Sequence, residues 1–178
     1  MYRASASIHT HFAHHVRGHD GPCISLHGHT WKLEVVMQAR ELDKSGFVVD
    51  FDRLHERVLL PCFALLDHSL AIGEQTWSET RDKLAPLGET LVASRRELLG
   101  DLGCRQPGLS EPLEGARNEW PGGIKIAVFP FTPTSERLAE WLYRVASGTF
   151  TDGRASVAFA RVWETLHPAE TFAEYAAD

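Results

Sequence analysis

From Tyr2 to Val16 small or apolar residues (Ala4, Ala6, Ile8, Phe12) alternate with polar ones. Successive side chains of an extended chain point to opposite faces, so this alternation predicts a first strand over residues 2–16. Arg17-Gly18-His19-Asp20-Gly21-Pro22 is turn chemistry. A second strand is predicted from about Thr30 to Ala39, and after a turn closed by Gly46, Phe47-Val48-Val49 resumes extended structure. The period then lengthens. Leu54, Val58, Leu59, Ala64 and Leu65 form a stripe at helical spacing, with Asp50 as N-cap candidate and Pro61 predicting a kink or a split. That helix ends close to Asp67-His68. Leu84, Leu87, Leu91, Leu98, Leu99 and Leu102 recur at helical intervals, Gly100 or Gly103 offering an end, and Cys104 to Gly123 reads as a loop rich in Gly, Pro and Glu. Ile124 to Phe129 is a third strand. Pro133 leads into a helix capped by Thr134 or Ser135, with Leu138, Leu142 and Val145 inward. A last strand runs from about Ala155 to Glu164, before a tail holding Phe172 and Tyr175. The order β-β-α-(insert)-β-α-β makes this an α+β chain, a single domain over residues 1–178 with an insertion at about 71–123.

Composition narrows the function classes. At 178 residues, with 43% apolar and 24% charged residues, the chain has one domain's worth of sequence and an ordinary globular balance. A net charge of −6 argues against a nucleic-acid surface. No apolar run approaches the roughly 20 residues that span a bilayer, and the N-terminus lacks a signal-peptide core. Three cysteines at 23, 62 and 104 form no close pair, which disfavours a disulfide framework and reads as cytoplasmic. The ten histidines are the informative excess, because six of them precede Gly28.

His27-Gly28-His29 carries the clearest chemistry. On a strand, residues two apart share a face, so the two imidazoles stand side by side. A third nitrogen from a neighbouring strand would complete a three-histidine site with an open fourth position, as in catalytic zinc. The plainer reading is a polar strand end. Cys23, four residues upstream in a polar loop, reads either as a buried apolar cysteine or as a thiolate near a metal. Asp67-His68 alone reads as a cap or surface pair, and Glu164 as a strand end. Lys32, Arg17 and Lys125 are candidate phosphate contacts only in being basic and near these motifs.

Phe12-Ala13-His14-His15-Val16-Arg17-Gly18, Cys23-x-x-x-His27-Gly28-His29, Val49-Asp50-Phe51, Leu66-Asp67-His68, Pro133-Thr134-Ser135-Glu136 and Glu164-Thr165 occur in this order. Together they resemble the 6-pyruvoyl-tetrahydropterin synthase family, and within it the bacterial 6-carboxytetrahydropterin synthases of the queuosine (7-deazaguanine) pathway. The resemblance covers most of the chain except roughly residues 71–123. It implies a tunnelling fold (T-fold): a four-stranded antiparallel sheet with two helices on one face, assembling as a homo-oligomer, commonly a hexamer.

The resemblance also implies a site. Zinc is held by His14, His27 and His29, with His15 the rival for the first position. Cys23 is the catalytic base, Asp67 and His68 relay the proton, and Glu164 anchors the pterin, with Thr134 and Ser135 helping to close the pocket. The implied reaction converts 7,8-dihydroneopterin triphosphate to 6-carboxy-5,6,7,8-tetrahydropterin, releasing triphosphate and acetaldehyde. The same parts serve a 6-pyruvoyl-tetrahydropterin synthase, or a zinc- and pterin-binding T-fold protein without activity. A metallohydrolase using the three histidines would leave Cys23 and Glu164 unexplained.

Overall fold

The computed structural model describes residues 1–99, 108–151 and 153–177. Seven strands form one mixed sheet. In chain order they are β1 (Tyr2–His14), β2 (His27–Ala39), β3 (Leu70–Gly73), β4 (Arg117–Glu119), β5 (Ile126–Phe129), β6 (Ala155–Thr165) and β7 (Thr171–Tyr175). Their order across the sheet is β4-β5-β3-β1-β2-β6-β7. The four expected strands correspond to β1, β2, β5 and β6, while β3, β4 and β7 are additional. The sheet is not purely antiparallel because β3 pairs parallel with both β1 and β5. The helices are α1 (Phe51–Leu54), α2 (Leu60–Leu66), α3 (Glu74–Leu99) and α4 (Ser135–Thr149). Among the described residues, no helix is long and apolar enough to cross a membrane.

By their contacts the residues group into two compact units. The first comprises residues 1–11, 29–63 and 134–178. Here β2 and β6 pair antiparallel, burying Trp31, Leu33, Val35, Val157, Ala160 and Val162. A register shift between Val36 and Met37 breaks the alternation, so both are buried in succession. Helix α4 buries Leu138, Leu142 and Val145, the predicted stripe, and Thr134 caps it by accepting the Arg137 N–H. Asp50 caps α1 through the Asp52 N–H, as expected. The segment is divided one turn ahead of Pro61, which sits at the start of α2. A π-helical turn, His55–Leu59, joins α1 to α2, and the Leu60 N–H reaches back five residues to the His55 carbonyl.

The expected strand at Phe47-Val48-Val49 is absent, and Arg154 supplies the reason. Its guanidinium donates to the carbonyls of Glu41, Phe47 and Val48, and the Asp43 N–H also donates to Phe47. Acceptors spent on a loop are not available to a ladder.

The second unit comprises residues 12–28 and 64–133. Ile72, Trp77, Ile126 and Val128 form its core, with Leu70, Leu84 and Ile124 against it. The predicted leucine stripe of α3 is only partly inward, since Leu87 and Leu91 are exposed. The packing face runs instead through Leu84, Gly88 and Val92. A Cβ at Gly88 would stand 2.3 Å from the Pro121 carbonyl oxygen, and Val92 Cγ2 lies 3.1 Å from a Cβ built on Gly123. The expected helix end at Gly100 or Gly103, and Leu102 and Cys104, lie outside the described residues.

Candidate active site

Strand β1 ends at His14 and β2 begins at His27, the two joined by the loop that carries Cys23 on a 3-10 turn, Pro22–Ile24. The Val16 N–H donates to the Cys23 carbonyl at 2.8 Å and closes this loop, leaving the thiol half-buried. His14 is fully buried. Its Nδ1–H donates to the Pro133 carbonyl at 2.9 Å, and His27 Nδ1–H donates to the Ser25 carbonyl at 2.8 Å. A carbonyl can only accept, so each neutral ring is fixed in the tautomer that leaves its lone pair on Nε2. Those two Nε2 atoms face each other at 3.1 Å. Two lone pairs at that distance repel unless a proton or a cation lies with them, and a cation bonded to both turns the repulsion into ligation. Ligating histidines commonly hand their other ring N–H to a carbonyl in this way.

His29 stands on the same strand as His27 with one glycine between them, so β2 presents both rings on one face. Trp31, two residues further, meets the His29 ring edge-on at 5.3 Å. His29 Nε2 is 3.8 Å from Glu164 Oε1 near the end of β6. One donor atom from each of His14, His27, His29 and Glu164 lies within 4.8 Å of the others, a group able to hold a metal ion. Three imidazoles and a carboxylate are the donor set of borderline cations such as zinc. His14, not His15, belongs to this group. His15 Nε2 lies 3.3 Å from Thr76 Oγ1, and burial, aided by the Arg17 charge, holds its pKa below the usual imidazole value.

The other predicted residues occupy distinct places. Asp67 is 8% exposed and follows α2, while the more exposed His68 donates Nδ1–H to Asp67 Oδ2 at 2.6 Å. His68 has a left-handed backbone, φ 54°. Thr134 is taken up by its helix cap, and Ser135 Oγ lies 3.4 Å from Glu136. Arg17 is paired twice with Glu79, at 2.9 and 3.1 Å, and Lys32 stacks 4.1 Å over the Trp163 ring. Lys125 is buried, its Nζ 2.8 Å from the Asp67 carbonyl oxygen. Sequence reasoning missed the two carbonyls that orient the histidines. Pro133 precedes a recognisable helix cap, but backbone acceptors leave no signal in side-chain pattern.

The fold and site thus define an α+β sheet protein with a histidine-carboxylate group able to hold a metal ion, at the end of β1 and the start of β2. The family model described as 6-pyruvoyl tetrahydropterin synthase matches residues 5–176, and the chain belongs to that family. A 6-carboxy-5,6,7,8-tetrahydropterin synthase of Haemophilus influenzae is 28% identical over 179 residues, covering 98% of this chain and 99% of its own. Residues 71–123, which carry none of the family motifs quoted above, lie within that alignment. The Bacillus subtilis protein of the same description is 30% identical over 92 residues, 51% of this chain and 60% of its own. Among solved structures, an uncharacterized protein from Wolinella succinogenes aligns with a TM-score of 0.64 at 22% identity, covering 99% of this chain and 98% of its own. The Caenorhabditis elegans 6-pyruvoyl tetrahydropterin synthase aligns at 0.55 and 14% identity, covering 99% and 96%. At those identities the structural likeness speaks for the fold alone.

Proposed function

We propose that this chain is a zinc-dependent lyase, a 6-carboxy-5,6,7,8-tetrahydropterin synthase acting on 7,8-dihydroneopterin triphosphate in queuosine (7-deazaguanine) biosynthesis. The observation that carries the reading is the pair of Nε2 lone pairs of His14 and His27 at 3.1 Å, each ring locked through Nδ1 to a carbonyl. The names of the Haemophilus and Bacillus relatives support the carboxy product over the pyruvoyl one. His14, His27 and His29 hold the zinc. When bound, it supplies a Lewis-acid charge that makes hydroxyl and adjacent C–H groups of the pterin side chain more acidic.

The protein's own residues do the rest. Glu164 accepts two parallel N–H bonds from the amino-pyrimidinone edge of the pterin and sets its orientation. Cys23, as thiolate, takes a proton from the pterin side chain. Asp67 fixes His68 with Nδ1–H inward, so His68 Nε2 receives and returns the proton. Thr134 and Ser135 border the pocket from the start of α4. The sheet is open at its β4 and β7 edges, and by resemblance the chain assembles as a homo-oligomer, a hexamer.

Triphosphate release from dihydroneopterin triphosphate, measured beside zinc content, tests this reading. Cys23→Ala is expected to keep one zinc per chain and lose at least about a hundredfold in rate. A Cys23→Ala protein as fast as the wild type contradicts the assigned base.

A further inference from the structure

Lys125 meets the turn from α2 into β3 at two points. The Lys125 carbonyl accepts the Leu70 N–H at 3.1 Å, and its side chain donates to the Asp67 carbonyl at 2.8 Å. The same residue therefore grips the chain on both sides of His68. Lys125 is 6% exposed and Asp67 8%. An ammonium this deep is costly unless hydrogen-bonded, and an apolar side chain would fill the space without that cost. Its position suits work on the turn. A carbonyl just past the end of a helix is partially negative, and a cation there is favourable. The Asp67 carboxylate is close enough for its charge to favour the protonated amine.

We propose that Lys125 is a positioning residue for the Asp67–His68 pair, fixing the left-handed turn at His68 and with it the placement of the carboxylate that holds the imidazole. The inference rests on the relay role assigned to that pair above. Burial pushes the Lys125 pKa down to about 8, against the opposing pull of Asp67, which leaves the amine largely charged at neutral pH. Lys125 is thereby assigned to the turn rather than to a substrate phosphate.

The test compares zinc-loaded wild type, Lys125→Met, Lys125→Arg, His68→Ala and the Lys125→Met/His68→Ala double variant, with zinc content and melting temperature measured for each. Lys125→Met is expected to keep its zinc and fold and to lower kcat about tenfold with KM within about twofold. Lys125→Arg, which retains charge and donor, is expected to recover most of that loss. In the His68→Ala background, Lys125→Met is expected to cost less than about twofold more, because both act through one group. Should Lys125→Met fail to fold, Lys125→Gln, neutral but still a donor, takes its place with the same expectation for kcat. Full loss from Lys125→Met on top of His68→Ala, or no loss from it alone while His68→Ala is inactive, overturns the positioning role. An active His68→Ala protein overturns the relay assignment itself, and this inference with it.

Discussion

His14 and His27 each spend one ring nitrogen on a backbone carbonyl and turn the other toward its neighbour, and in the proposed site those two nitrogens hold the metal. Replacing either should therefore cost metal before it costs fold. His27→Ala, at the half-buried start of β2, is expected to fall well below one zinc per chain by elemental analysis while melting close to the apo wild type. An unchanged zinc content would remove His27 from the ligand set. At this scale His-Gly-His was legible because strand alternation alone puts two rings on one face. The carbonyls of Pro133 and Ser25 were not, because they depend on where distant backbone arrives. Lys125 gives a second expectation. Its amine has an ordinary pKa of 10.5 and a folded one of about 8. Between those values the unfolded chain holds a proton that the folded chain has released, so stability rises with pH across the window; below pH 8 the burial cost is present in full. Urea unfolding should show wild type gaining on the order of 3 kcal/mol relative to Lys125→Met from pH 8 to 10.5. Parallel pH curves would show that the amine is not depressed.

At the scale of elements, α3 shows how a hydrophobic pattern misleads. Leu87 and Leu91 looked like a core stripe, yet both are exposed, while the close contact is made by Gly88, whose lack of a side chain is invisible to hydropathy. The neighbour is backbone, the Pro121 carbonyl oxygen at 2.3 Å from an added Cβ, so it cannot rotate aside. Gly88→Ala is expected to destabilise by about 1–3 kcal/mol in chemical denaturation despite the better helix propensity of alanine. Leu87→Ala should stay within about 0.5 kcal/mol. Equal effects would mean that α3 packs through its leucines after all. Caps were legible, since Asp50 and Thr134 are short polar acceptors directly before apolar periodicity. The Phe47-Val48-Val49 segment was not, because Arg154, more than a hundred residues away, takes its carbonyls.

For the whole molecule, β1, β2 and β6 were visible as alternation and β5 as a short apolar run, and the α+β class followed from them. The sheet's mixed character was hidden in β3, four residues of Leu-Ala-Ile-Gly with three of them buried, which has no alternation to read. Placed between β1 and β5 and parallel to both, β3 begins two residues after His68. The stretch read as an insertion thus contributes β3 and β4 to the sheet itself. The proposed function turns on the reaction itself. Zinc-loaded protein incubated with 7,8-dihydroneopterin triphosphate, with the products identified by mass spectrometry, is the most direct test. The expected result is 6-carboxy-5,6,7,8-tetrahydropterin with acetaldehyde and triphosphate. A pyruvoyl product, or unchanged substrate in the presence of bound zinc, would contradict it.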